Sequence, residues 1–136
     1  MTRESRRLAG ILLIVLPTVM YGGVVLLTML VHDSSYMGNP LRQNLWRAGH
    51  AHAGVLLVLS LVALRYVDEA KLPSALMPVA RSFIPLAAIL MPAGFFLSMI
   101  SPAARAPSSL IGLTYVGAVV LGVGVFTLGV GLVRSS

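Results

Sequence analysis

The composition of this chain predicts an all-α integral membrane protein, a bundle of four transmembrane helices. Three observations carry that expectation. Of its 136 residues, 57% are hydrophobic and only 10% are charged, which is too little polar surface to coat a soluble globule. Mean hydropathy is high, at +0.92. Four apolar runs, at about 8–31, 45–67, 82–100 and 110–133, are each long enough to cross the hydrocarbon core as a helix of roughly 20 residues. Little chain is left over, so the 136 residues read as a single transmembrane domain.

The first run follows Arg3, Arg6 and Arg7 and so resembles the start of a signal peptide. At about 24 residues it exceeds a signal h-region of roughly 7 to 15, and no small-residue cleavage site interrupts it, so a retained span is expected. Pro17 and Gly22-Gly23 suggest bending, and Tyr21 beside them is a candidate to place a hydroxyl inside the bundle. His32 and Asp33 close the run. The loop that follows, Ser34 to Asn44, carries the turn-forming Gly38-Asn39-Pro40.

The second run opens with the most informative segment of the chain, Trp46-Arg47-Ala48-Gly49-His50-Ala51-His52-Ala53-Gly54, which holds two of the three histidines. An imidazole at the edge of a bilayer core is costly to bury, and it is commonly a ligand or a proton-handling group. At 100° per residue His50 and His52 point about 200° apart, so on one helix they serve different neighbours. His50 shares a face with Trp46, Gly54, Leu57 and Leu61. The small residues around it either allow close helix packing or clear room for a flat, bulky ligand. A mononuclear zinc or copper site built from His32, Asp33 and one of the pair has suitable donors but no established spacing. Cysteine is absent, which excludes disulfides, thiolate ligands and cysteine nucleophiles.

The third run contains Pro85 and Pro92, each of which removes an intrahelical hydrogen bond and bends a helix, a setting that often borders a cavity. Met91 and Met99 flank that region as flexible packing groups that can also ligate iron. In the fourth run Gly117, Gly124 and Gly131 recur every seventh residue on one face, with Gly122 and Gly129 roughly opposite. Two faces that pack closely predict one contact within the bundle and another with a second protomer, hence a homo-oligomer.

Flanking cations set the orientation. With the N-terminus cytoplasmic, Arg3, Arg6, Arg7, Arg65, Lys71, Arg81 and Arg134 lie inside, and Arg42, Arg47 and Arg105 lie outside, seven against three. An N-in, C-in multi-pass protein of the cytoplasmic (inner) membrane is expected. The net charge of +6 is then explained by anchoring and contact with anionic lipid, with no nucleic-acid partner.

Trp46 and His50, four residues apart at the opening of the second run, match the opening of the second helix in a known family. Ala93-Gly94-Phe95, followed by Ser98, Ser101 and Pro102, matches that family's third helix at the same ungapped offset. In these stretches the chain resembles the styrene oxide isomerases, small four-helix membrane enzymes that form trimers and bind haem b between subunits. The resemblance implies haem b, with its iron held by His50. His52 is the second choice, because Ala51-His52-Ala53-Gly54 matches the family's Ala-His-Ser-Gly. It also implies isomerisation of a small apolar epoxide to a carbonyl compound.

Two family pocket residues differ: the catalytic tyrosine falls on Phe95 and the pocket asparagine on Leu56. Tyr21, Tyr115 or Ser98 are candidates to replace them. Arg47 and Arg42, on the histidine side, are candidates to meet haem propionates. The competing expectation is a non-catalytic haem protein, an electron carrier, haem carrier or sensor with a second axial ligand from His52, Met91 or a neighbouring subunit. A third is a membrane protein with no cofactor.

Overall fold

The computed structural model describes residues 1–135, and among them every regular element is helical. Four of the helices are long and apolar enough to cross a membrane. They are α1 (Arg3–His32), α3 (Pro40–Tyr66), α4 (Met77–Ser98) and α5 (Gly112–Val133), with α2 (Ser34–Met37) a single turn between the first two.

Local capping explains where the helices begin. The Thr2 hydroxyl accepts the Ser5 N–H and Glu4 sits in the first turn, so α1 starts ahead of its apolar run. Asp33 ends α1 and caps α2, its carboxylate accepting the N–H groups of Ser35 and Tyr36 at 2.9 and 3.2 Å. Those bonds, the Ser35 hydroxyl first among them, hold the Asp33 carboxyl below the usual carboxylate range. Asn39 caps α3 by accepting the Arg42 N–H at 3.1 Å, and Pro40 occupies the first turn, where its missing N–H costs nothing. The second span therefore starts at Pro40, five residues before its apolar run. Pro78 likewise starts α4 ahead of Ser82.

Pro85 and Pro92, expected to bend the third span, do not interrupt its helix. α4 runs through both, and both rings are buried. The glycine heptad of α5 packs as predicted. A Cβ at Gly117, Gly124 or Gly131 would lie 2.6 to 2.8 Å from Met91 Cγ, Phe83 Cβ and Leu72 Cγ respectively. Thr114 closes the end of this seam nearest the start of α5, its hydroxyl donating to the Met91 carbonyl at 3.2 Å.

In space the spans lie chiefly in the order α1, α3, α4, α5, with α4 packed against both α3 and α5 and α1 laid on α3. A buried cluster of Ala63, Leu64, Val67, Ala80, Ile84 and Leu128 fills the end of the bundle that carries the chain's N-terminus, with Leu8, Ala9 and Leu12 of α1 against it. A polar latch closes that end. Arg81 pairs with Glu4 and with Asp68, and Asp68 also accepts from the Thr2 N–H and the Ser5 hydroxyl.

Candidate functional site

Because α3 begins at Pro40, His50 and His52 sit about 15 and 18 Å along it, and about 8 and 11 Å past the start of its apolar run at Leu45. At that depth an imidazole sits in apolar surroundings and must find a partner within the protein or a ligand.

The two rings face different helices, as their spacing requires. His50 turns to α1 and rests on the Gly22-Gly23 pair. A Cβ at Gly23 would lie 3.0 Å from Nε2 and 3.3 Å from Cε1, and one at Gly22 would lie 3.6 Å from Nδ1. The ring edge thus lies against the backbone of α1, and the two glycines make room for it. His50 makes no hydrogen bond to any described residue.

His52 turns toward α4. Its ring lies 5.1 Å from that of Phe95 at a 38° tilt, and its Nδ1 is 2.7 Å from the Ala48 carbonyl oxygen one turn earlier. A carbonyl can only accept, so Nδ1 carries the proton and donates. In the neutral ring the lone pair is therefore on Nε2, the arrangement by which second-shell bonds orient metal-ligating histidines. On the helix, His52 lies between the buried stripe of Gly49, Leu56 and Ser60 and the exposed stripe of Ala51, Val55 and Val62.

Several predicted ligand contacts have structural tasks instead. Arg42 is 4% exposed; its Nε donates to the Met99 carbonyl at 3.0 Å and an η nitrogen to that of Ile100 at 3.2 Å. It places positive charge on the carbonyl-rich end of α4, with its guanidinium 4.1 Å over the Trp46 ring. Trp46 donates from Nε1 to the Phe96 carbonyl at 3.1 Å. Both residues pin the first turns of α3 to the end of α4. Arg47 remains exposed, bonded only to Asn44. Nothing lies within 4 Å of a Cβ built on Gly54.

The substitutes for the missing pocket hydroxyl do not converge on the histidines. Tyr21 is 68% exposed and points out of the bundle, and Tyr115, at 70%, does the same. Each sits on the side of its helix that has no neighbour. Ser98 is buried, but its hydroxyl donates to the Phe95 carbonyl at 3.2 Å. Leu56 is buried and Phe95 half-buried beside His52, so the surroundings of that ring are apolar. Met91 packs under Gly117, and Met99 is fully buried. Among the described residues no three His, Asp or Glu side chains gather to hold a metal ion. The zinc or copper site from His32 and Asp33 is accordingly not assembled, since Asp33 is committed to capping α2 and His32 is exposed.

Sequence reasoning missed one feature here: Gly22-Gly23 reads as a bend but serves as the seat of His50. Gly49, one of the small residues expected to allow close packing, brings α3 onto Phe95 and Phe96, where a Cβ would approach both side chains to 3.0 Å. The available signal was a glycine pair within an otherwise bulky apolar run. Compared with family models, with curated proteins and with solved structures, the chain matches none.

Proposed function

We propose that this chain is a haem-b-binding protein of the cytoplasmic membrane, N-in and C-in, that isomerises a small apolar epoxide to a carbonyl compound. One observation carries the haem reading: a half-buried imidazole inside a span whose Nδ1–H is fixed on a backbone carbonyl, leaving Nε2 as a free donor. That donor suits an axial iron ligand. His52 is thus the favoured ligand over His50, whose Nε2 faces the α1 backbone at Gly23. The exposed stripe beside His52 offers a flat macrocycle a face to lie on, and a second protomer would cover it if the chain forms trimers as the styrene oxide isomerases it resembles do.

A bound ferric haem supplies a Lewis acid that polarises an epoxide C–O bond. The chain's own residues do the rest. The Ala48 carbonyl orients His52 and raises its basicity. Phe95 and Leu56 would keep water away from the His52 side of the site, an apolar setting that would favour a 1,2-shift to a carbonyl over hydrolysis to a diol. Arg47, exposed and near the outer end, is the cation available to a propionate.

The same apolar surroundings favour a second reading, a non-catalytic haem carrier or sensor, because Phe95 and Leu56 stand where the family has polar groups. Spectra and product analysis separate the two. The purified protein, expressed with adequate haem, should show a Soret band that is lost in His52→Ala and kept in His50→Ala. No Soret band in the unmodified chain overturns both readings. Carbonyl products from aryl or alkyl epoxides support the isomerase, and a low-spin, doubly ligated spectrum without turnover supports the carrier.

A further inference from the structure

The open side of α5 carries two apolar grooves that share one floor. The first, with a cavity volume of about 370 Å3, runs along Phe126, Gly129, Val130 and Val133 and ends at Arg134. The second, of about 220 Å3, lies between α5 and α3, with Leu59, Val62 and Tyr66 on one wall and Val125 and Leu132 on the other. Gly129 lines both, and nothing lies within 4 Å of a Cβ built there. The absent side chain leaves two parallel troughs on either side of one helical position.

The grooves open at the basic end of the bundle. Its side-chain carboxylates among the described residues are engaged, Glu4 and Asp68 with Arg81 and Glu69 with Arg65. The Arg134 guanidinium at the groove mouth makes no ion pair among the described residues. The Lys71 backbone N–H donates to the Gly131 carbonyl at 2.8 Å, which ties the loop after α3 to the last turn of α5 on the side away from Gly129. An occupant that fits has two apolar chains and one anionic head.

We propose that this face binds one anionic phospholipid of the adjacent leaflet, its phosphate at Arg134 and its two acyl chains in the grooves flanking Gly129. Charge complementarity selects the head group, and the paired grooves select a diacyl tail. The grooves lie toward the other end of α3 from the histidines, and Val62 is the residue they share with the exposed stripe beside His52.

Full-length protein reconstituted in phosphatidylcholine nanodiscs, with and without phosphatidylglycerol, tests this by native mass spectrometry of retained lipid. Phosphatidylglycerol should be retained as a one-to-one adduct in preference to phosphatidylcholine. Arg134→Gln should weaken that retention about fivefold. Gly129→Leu, which fills the shared floor at an exposed position, should abolish the adduct while the helical circular dichroism and melting temperature stay unchanged. Equal retention of both lipids, or an undiminished adduct in Gly129→Leu, overturns the proposal. Because the chain has no cysteine, Gly129→Cys is also a clean reporter. Efficient disulfide cross-linking between copies would show that a second protomer covers this face, and would likewise overturn it.

Discussion

The two outer helices of the bundle are held in opposite ways. Against α4 and the connection before it, α5 packs glycine to side chain, and a Cβ at Gly117, Gly124 or Gly131 meets another atom inside 3 Å. Against α3, α1 makes only sparse contact, and none of its most apolar 18-residue window is buried. The difference shows which solvent does the work. Lipid tails are as apolar as leucine, so a membrane helix gains nothing from burying leucines against another helix, and close association depends on small residues and polar contacts. α5 has the small residues. α1 has polar contacts at one end, through Glu4 and Thr2, and His50 seated on Gly22-Gly23 farther along.

The most damaging way to break this contrast is to add bulk to the tight seam. A Cβ on Gly94 of α4 would come within 2.5 Å of the Thr114 backbone nitrogen, an atom no rotamer can move. Gly94→Ala should cost about 3 kcal/mol, at the upper end for overpacking, read as a large drop in melting temperature in detergent. An unchanged melting temperature would show that α4 and α5 are not held together here.

Arg42→Ala ranks next. It removes a buried guanidinium that bonds two carbonyls at the end of α4, and a loss of about 2 kcal/mol is expected from hydrogen bonds to a charged donor. Arg42→Lys should recover only part of it, because an ammonium cannot reproduce the flat stack on Trp46. Full recovery by lysine would mean that charge alone matters.

These effects also mark what was readable in the sequence. The four spans and the heptad of α5 were legible because apolar run length and glycine spacing are local signals. The starts of α3 and α4 were less so, because Asn39-Pro40 and Pro78 extend helices past the apolar runs used to find them. The divergence of His50 and His52 followed from helical geometry alone. What the histidines face did not, nor did the tasks of Arg42 and Trp46, since these depend on where the carbonyls of α4 arrive. Tyr21 was misplaced for a related reason: a residue pattern in an all-apolar helix does not say which side lacks a neighbour.

The smallest expected effect is the most discriminating. Gly23→Ala adds a methyl 3.0 Å from His50 Nε2 in the loose seam, where the neighbour is a ring that can turn. Replacing a mid-helix glycine by alanine gains up to about 1 kcal/mol of helix propensity, which offsets the local crowding, so net stability should change by less than about 1 kcal/mol. The imidazole of His50, however, must move. If His52 holds the iron, the haem spectrum of Gly23→Ala should match that of the unmodified chain, while Phe95→Ala, which frees the ring beside His52, should shift it. If His50 is the ligand, the order reverses: a stability-neutral methyl on α1 perturbs the Soret band, and the loose seam between α1 and α3 becomes the cofactor's wall.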